Sequence, residues 1–543
     1  MSVDHSALTP AAPRGASFRL PHPNRRTLVK GVAWSAPVLA IATTAPALAV
    51  SLLDDAQARA FLLSGNLGGV IGLGEETNPD LVEVSGVHAI ATNHTATDEQ
   101  ANPLALSVLE AIDVNLDGLA GALSTILTAA TDTPLGAVNQ YAFAAKASDG
   151  PADAEVGGAG AVSENGTIDL QYNGSAGPSL ATLQLSHVLA QLAGDGVSEL
   201  VSSVSDLTLD IGAVAGRAQM NSPTPVPVSA VERDYLLAYL HLLGTSNLVS
   251  ALGSALNDTA PINLTVDAGP ILDLLEGALG GLVSASAVVS ATLDARQFTG
   301  EDPVLNSGAI SLDLADGELT IDVAPLLGHA FPGADGSLNG LAPNSRLFVD
   351  AGLPGAGITD VTESLKKSLI DRLGKFVAVD ISVSAVLLVL PVEVLTVRGT
   401  LEDLLSGNAE VRLLNGLTGN ILPETLRSVG ALVSDALSAL LDGNGAIALA
   451  LQGVNGLLSS LFTVLSDPDI LTITVNAQNN PVNGAGPVPS YYQGLPEGRF
   501  DVAALHLEAA GFIDLLNVSL GRGSVGENTP SSVGQSRSLP SAQ

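Results

Sequence analysis

Gly521-Arg522-Gly523-Ser524-Val525-Gly526 has the G-x-G-x-x-G spacing of a dinucleotide-binding loop and follows an alternating run that reads as a strand. That chemistry requires a helix N-terminus to hold a pyrophosphate, and the following Glu527-Asn528-Thr529-Pro530 is not a helix start of that kind. His88 and His94, six residues apart beside Asp98 and Glu99, are a candidate metal pair, although two solvated loop histidines are the simpler reading. His187 and His241 fall in stretches with helical apolar spacing and read as half-buried side chains. Acid pairs of the kind glycosidases use occur at Asp54-Asp55 and Glu402-Asp403, but with 55 acids the sequence does not single one out. Oxygen-bearing turns at Asp316-Gly317-Glu318, Asp335-Gly336 and Asp442-Gly443-Asn444-Gly445 make Asp316, Glu318, Asp335, Asp442 and Asn444 candidate calcium ligands. Ordinary turn chemistry also accounts for them. The sequence has no G-x-S-x-G elbow, H-E-x-x-H or Walker A loop, so no catalytic or cofactor-binding residue is assigned.

The elements that would position these residues separate by period. Segments 167–172, 207–211, 262–267, 311–314, 319–323 and 471–476 alternate apolar residues with Thr, Asp or Asn, as half-buried strands do. Segments 180–192, 235–243, 271–283, 361–373, 424–441 and 454–465 carry apolar residues three and four apart and predict helices. The fold expected is α+β, with amphipathic strands and leucine/alanine-rich helices, possible elongation, and a degenerate helix-strand-helix-strand repeat. The two copies would be residues 248–295 and 424–478, with GAIALALQ (445–452) as a strand of the second.

The N-terminus reverses the charge of the rest of the chain. Residues 1–49 hold Arg14, Arg19, Arg25, Arg26 and Lys30 against Asp4, followed by a moderately apolar run and Ala47-Leu48-Ala49. This predicts a twin-arginine-type signal peptide, read at Arg25 and Arg26 and cleaved after Ala49, and therefore an exported protein. The apolar run is broken by Pro37 and is too short to span a bilayer. Beyond it the expected organisation is an N-terminal ectodomain region (50–221), a Pro-rich linker (222–228) and a central α+β region (229–478). A Gly/Pro-rich linker (479–499), a C-terminal strand region (500–526) and a disordered tail (527–543) complete it. The most apolar internal run, 385–395, contains Pro391 and Glu393 and is about half a spanning length, so no membrane segment is expected in the mature form.

A net charge of −34 repels phosphate backbones and disfavours nucleic acid as a partner. With no cysteine, the chain has neither a disulfide framework nor a thiolate zinc site.

Gln57-Ala58-Arg59-Ala60-Phe61-Leu62-Leu63-Ser64-Gly65, Pro134-Leu135-Gly136-Ala137-Val138-Asn139-Gln140-Tyr141-Ala142 and the ending from Val502 to Gly526 resemble the choice-of-anchor G surface proteins of Gram-positive bacteria. The resemblance runs from about Ala56 to Gly526. It implies a surface location and no activity, and this sequence departs from it in showing no recognisable anchor. The leading expectation is a secreted or cell-surface, non-enzymatic envelope protein with a structural or adhesive role, and with cell-wall polymers or other envelope proteins as partners. An extracellular carrier of lipid or apolar ligands and a polysaccharide hydrolase are the alternatives.

Overall fold

The computed structural model describes residues 56–526 apart from 68–70, 74–85, 93–94, 105–126, 130–137, 147–152, 170–178, 191–194, 223–230, 260, 279–284, 295, 297–302, 328–330, 332–336, 352–355, 388–389, 414–422, 482–484 and 510–515. The chain begins with strands β1 (Ala56–Leu67), β2 (Ile71–Leu73), β3 (Val87–Ala91), β4 (Thr97–Leu104), β5 (Leu127–Ala129), β6 (Val138–Ala145), β7 (Asp153–Gly160) and β8 (Ser179–Leu183), then helices α1 (Leu185–Ala190) and α2 (Asp195–Ser203). The middle contains β9 (Val204–Gly212), β10 (Val214–Ser222), β11 (Val231–Leu237), β12 (Leu240–Ser246), α3 (Asn247–Thr259), β13 (Ile262–Leu264), α4 (Ala268–Ala278), β14 (Ala285–Leu293), β15 (Val304–Asn306), β16 (Ile310–Asp313), β17 (Glu318–Asp322), α5 (Val323–Leu327) and β18 (Ser345–Leu347). The last part contains α6 (Ala356–Leu373), β19 (Val377–Leu387), β20 (Leu390–Thr400), α7 (Leu401–Ser406), β21 (Glu410–Leu413), α8 (Pro423–Asp442), α9 (Ala446–Leu465), β22 (Thr472–Gln478), β23 (Phe500–Ala509) and β24 (Leu516–Val525). Short 3-10 turns lie at Gly374–Phe376 and Ser490–Gly494.

The fold is mixed α+β, with several helices and four antiparallel sheets. The first sheet has the order β18-β22-β23-β24-β1-β2, with β3 also on β1; the second is β11-β10-β7-β6-β4. The third is β15-β16-β17-β12-β9-β8-β5 and the fourth β13-β14-β19-β20-β21. Because β1 pairs with β24, the first sheet joins the two ends of the described chain, Ala58 opposite Val525.

Two kinds of core result. Leucine, valine and isoleucine from the third and fourth sheets and from the helices form one continuous core, in which α9 buries Leu451, Val454, Leu457, Leu458, Leu461 and Phe462. Between the first and second sheets the buried residues are mostly small, including Ala56, Ala58, Ala89, Ala91, Ala142, Ala144 and Ala218. Here backbones nearly touch. A Cβ on Gly216 would lie 2.1 Å from the Gly521 carbonyl oxygen, and one on Gly523 would lie 2.2 Å from that of Gly157. Glycine is the only residue that fits such a contact.

The alternating segment 207–211 lies in β9, and 311–314, 319–323 and 471–476 overlap β16, β17 and β22, each running one residue past the strand, with Val323 already in α5. Other expectations need correction. Residues 235–243 are not a helix but parts of β11 and β12, with Leu236, Leu237, Tyr239, Leu240 and Leu242 all buried. The two strands themselves alternate, but the corner that joins them, 236–240, is buried without a break, and that continuous apolar run mimics helical spacing. Of residues 180–192 the described ones, 180–190, divide between β8 and α1; in segment 167–172, residues 170–172 are outside the described residues and Ile168 makes an isolated bridge to Val162. The order expected for 248–295 is present as α3, β13, α4 and β14, but GAIALALQ is the cap and first turns of α9, so 424–478 does not repeat it. Gly445 caps this helix, and Ile447, Ala448 and Leu451 share its buried face.

The described residues of the apolar run 385–395 belong to the antiparallel strands β19 and β20. Among the described residues, α9 alone is long and apolar enough to cross a membrane. It contributes ten buried residues to the core, and its exposed positions include Gln452, Gly456, Ser459 and Thr463. That uncharged outer face explains its high mean hydropathy.

Candidate functional site

The densest set of chemically capable side chains lies on the first sheet, beneath residues 488–499. It is built by a reversal of strand phase. Along β24, Leu516, Val518 and Leu520 enter the leucine-rich core while Ser519 faces the opposite side. After Gly521, whose φ is +61°, Arg522 and Ser524 take over that opposite side. Strict alternation would have placed them with the leucines. The neighbouring strands reverse in the same row. Asn476 (φ +55°) lies between the Val475–Leu505 and Ala477–Ala503 pairs, and Gly521 lies between Leu520–Leu505 and Arg522–Ala503.

Arg522 is fully buried with Asp501. Its Nε donates to Asp501 Oδ1 at 2.9 Å, and its Nη1 donates to Tyr491 Oη at 3.0 Å and Ser64 Oγ at 3.3 Å. The guanidinium carbon lies 5.1–5.3 Å from the ring centres of Phe61, Tyr491 and Tyr492. Arg499 Nε donates to Asp501 Oδ2 at 3.1 Å and Ser524 Oγ at 3.0 Å, while the Asn479 side chain accepts from the Asp501 amide at 2.7 Å. Burial opposes ionisation of Asp501, but the attraction of Arg499 and Arg522 prevails and holds its carboxyl below the usual range. Burial likewise lowers the affinity of Arg522 for its proton, and Asp501, with both tyrosines, raises it above the ordinary value. The result is a closed ionic clasp. Arg233 reaches it from β11, donating to the carbonyls of Asn479 (2.6 Å) and Asn480 (3.1 Å).

Beside the clasp, His506 Nδ1 lies 2.8 Å from Ser519 Oγ, which is 2.9 Å from Tyr492 Oη; Glu508 Oε2 is 4.0 Å from His506 Nε2. Serine, histidine and carboxylate in sequence suggest nucleophilic chemistry. The geometry argues for a structural role. Ser519 and His506 have no exposed surface and Tyr492 closes over them. Glu508 is too far away to hydrogen-bond the ring. Burial, reinforced by the Arg522 charge, lowers His506 to about 3, so the ring is neutral near pH 7.

The residues singled out in the sequence do not converge here, except in the glycine motif. Gly521, Gly523 and Gly526 are in or beside β24; Gly521 turns the strand phase and Gly523 admits the second sheet. The expected 479–499 joint connects two paired strands, β22 and β23, and carries buried Tyr492. His88 is on β3, its Nε2 3.1 Å from Gln57 Oε1, and His94 is outside the described residues. Asp98 accepts the Ile90 amide at 2.9 Å, and Tyr141 donates to Glu99 at 3.1 Å. His187 is exposed on α1, and His241 is on β12, not a helix, stacked on Tyr239 at 4.4 Å.

Asp316 and Glu318 are exposed at the β16–β17 turn, whose amides at Ala315 and Asp316 are held instead by Asp313 Oδ1. Asp442 pairs with Lys366 Nζ at 2.6 Å, and Asn444 is exposed two residues beyond it. Asp335 is outside the described residues, as are Arg25, Arg26, Ala49, Asp54 and Asp55. Among the described residues, no three His, Asp or Glu side chains gather as a metal site. Asp403 of the Glu402-Asp403 pair belongs to the α7 capping box with Thr400. The clasp was missed because it joins residues as far apart as Ser64 and Arg522; its signal is the phase break Leu-Gly-Arg at 520–522.

No curated protein matches the chain, and no solved structure matches it. A match over residues 58–526, from the start of the β1–β24 pairing to the glycine that ends it, places the chain in the family described as domain of unknown function (DUF8394), to which it belongs.

Proposed function

We propose that this is an exported, non-enzymatic envelope protein with a structural or adhesive role, delivered by the Arg25-Arg26 leader and related to the choice-of-anchor G surface proteins. The observation that carries this reading is the use made of the most reactive side chains. Arg522, Asp501 and Arg499 are spent on one another and His506 on Ser519, and Arg522 reaches Ser64 of the first strand, which pairs along its length with the last. The Gly526 amide donates to the Gln57 carbonyl at 2.9 Å and to Glu155 Oε2 at 2.8 Å, and Arg59 donates to the Gly526 carbonyl at 2.7 Å. The folded unit therefore begins and ends at one locked place, a geometry suited to display from a single attachment region.

Fractionation of producing cells tests the reading. The protein is expected in the medium, or in an envelope fraction that EDTA or urea strips intact, and without tryptophan emission, because Trp34 is the only tryptophan and lies in the leader. Retention in the cytoplasm, or tryptophan emission from the exported form, overturns export with cleavage. Release only by a wall-digesting enzyme replaces noncovalent retention with a covalent link. Substituting Arg25→Lys together with Arg26→Lys is expected to block export; undiminished export assigns another route.

A further inference from the structure

An open sheet edge offers unpaired backbone groups to any further strand, and several of the described edges are guarded against this. β4 carries Asp98 and Glu99, and Pro103 has no amide to give. β11 is closed by Asn339, whose Oδ1 accepts the Leu237 amide at 2.8 Å and whose Nδ2 donates to the Leu237 carbonyl at 3.1 Å. β13 and β15 are three residues long, with Pro261 and Pro303 immediately before them. β21, at the end of the fourth sheet, has no proline and no capping side chain, and β20 is its one strand neighbour among the described residues.

The side chains of β21 fit a second copy of the same strand. Glu410 and Arg412 are exposed on its outer face, while Val411 and Leu413 turn inward and are half-buried against the leucine-rich core. Arg412 Nε donates to Glu410 Oε1 at 2.7 Å, but the two side chains are 68% and 56% exposed, so the pair is weak and free to exchange partners. An added antiparallel strand must set outer residues against outer residues, because a slip of one residue turns the apolar side chains to solvent. Of the registers that obey this, one centred on Glu410 or on Arg412 sets that charge against itself. The register centred on Val411 places each Glu410 opposite Arg412 of the second copy, with Val411 opposite Val411 and Leu413 opposite Ala409 on the inner face. The edge is its own complement. Leu405, a large apolar side chain that is 43% exposed, lies on α7, the helix that leads into this strand.

We propose that β21 pairs antiparallel with β21 of a second copy of this chain, joining two copies of the fourth sheet into one continuous sheet. A four-residue strand makes a small interface, so the dimer is expected to be reversible, forming at about 100 µM and dissociating on dilution. Sedimentation velocity of the purified chain between ~1 and ~300 µM reads the equilibrium. Arg412→Glu gives the edge two acids and Glu410→Arg gives it two bases, and each variant alone is expected to self-associate at least about tenfold more weakly than the wild type. Mixed in equal amounts, the two variants are expected to associate again, because two acids then face two bases. The chain carrying both substitutions is expected to regain self-association by itself. Such recovery separates a charge-paired edge from variants that have merely failed to fold. A wild-type chain that stays monomeric at ~300 µM, single variants that associate as the wild type does, or a mixture or double variant that stays monomeric overturns the proposal.

Discussion

The contact between the first two sheets and the leucine-rich core of the third and fourth solve the same burial problem in opposite ways. In the leucine-rich core, stability comes from volume. Leu458, Leu461, Phe462 and their neighbours fill space with apolar atoms, and neighbouring side chains share small adjustments. At the first two sheets, alanine and glycine bring backbones into contact on one side, while a buried ionic clasp occupies the other. Less apolar surface is available there, and tolerance is lower because the constraints are fixed backbone atoms and paired charges. A chain with only 3% aromatic residues places Phe61, Tyr491 and Tyr492 around one arginine. This concentration marks the place where the ends of the family domain meet.

The largest effect expected from breaking this comparison is at Arg522. Arg522→Leu leaves Asp501 buried with Arg499 as its remaining guanidinium partner, and removal of one member of a buried pair costs about 3–5 kcal/mol. Urea unfolding is expected to show a drop of that size. Replacing Arg499, Asp501 and Arg522 together by Leu, Asn and Leu is expected to recover part of it, because no buried charge is then left without its partner. A loss under about 1 kcal/mol for the single variant would show that the clasp contributes little. Gly216→Ala follows, at about 3 kcal/mol, because the new methyl group meets the Gly521 carbonyl and a strand must move to admit it.

The leucine-rich half was largely legible in the sequence, and the clasp was not. Strands such as 318–322 alternate because one face meets the core, and α6 and α8 show their apolar spacing for the same reason. In the first sheet the local pattern misleads. β23 and β24 are buried along nearly their whole length, so their alternation encodes two different buried faces and not an inside and an outside. Arg522 and Asp501 resemble surface charges in sequence, and their burial follows only from pairing across 21 residues and from Tyr491 closing over them. The G-x-G-x-x-G spacing was a true signal of close backbone approach. The approaching group is another strand and not a pyrophosphate.

Acid should separate the halves further. His506 is lowered to about 3 from an ordinary 6.5, so between these pH values the unfolded chain holds a proton that the folded chain excludes. This contribution is complete above about pH 6.5 and is lost as pH falls toward 3, by about 1.4 kcal/mol per pH unit. Asp501, held below its ordinary value of 3.8, adds a further loss at lower pH. His506→Asn is expected to flatten the dependence of the urea midpoint on pH between about 6.5 and 4, with the carboxylates elsewhere supplying what slope remains. An unchanged slope would mean that the ring takes up its proton without opening the clasp.

The smallest effect has the opposite sign. Gly456 is in the interior of α9, a Cβ added there would meet nothing within 4 Å, and its neighbours on the exposed face are Gln452, Ser459 and Thr463. Gly456→Ala removes backbone freedom from the unfolded chain and adds no clash to the folded one, so it should stabilise by about 0.5–1 kcal/mol. It is the same one-carbon change that costs about 3 kcal/mol at Gly216, and the difference comes entirely from what lies opposite the added methyl. The two variants should therefore shift urea midpoints in opposite directions without changing the slope of the transition. A stabilisation at both positions would mean that the first two sheets separate more easily than their close backbone contact implies. A loss at Gly456 would mean that the outer face of α9 is covered in the assembled protein, giving its uncharged surface a partner.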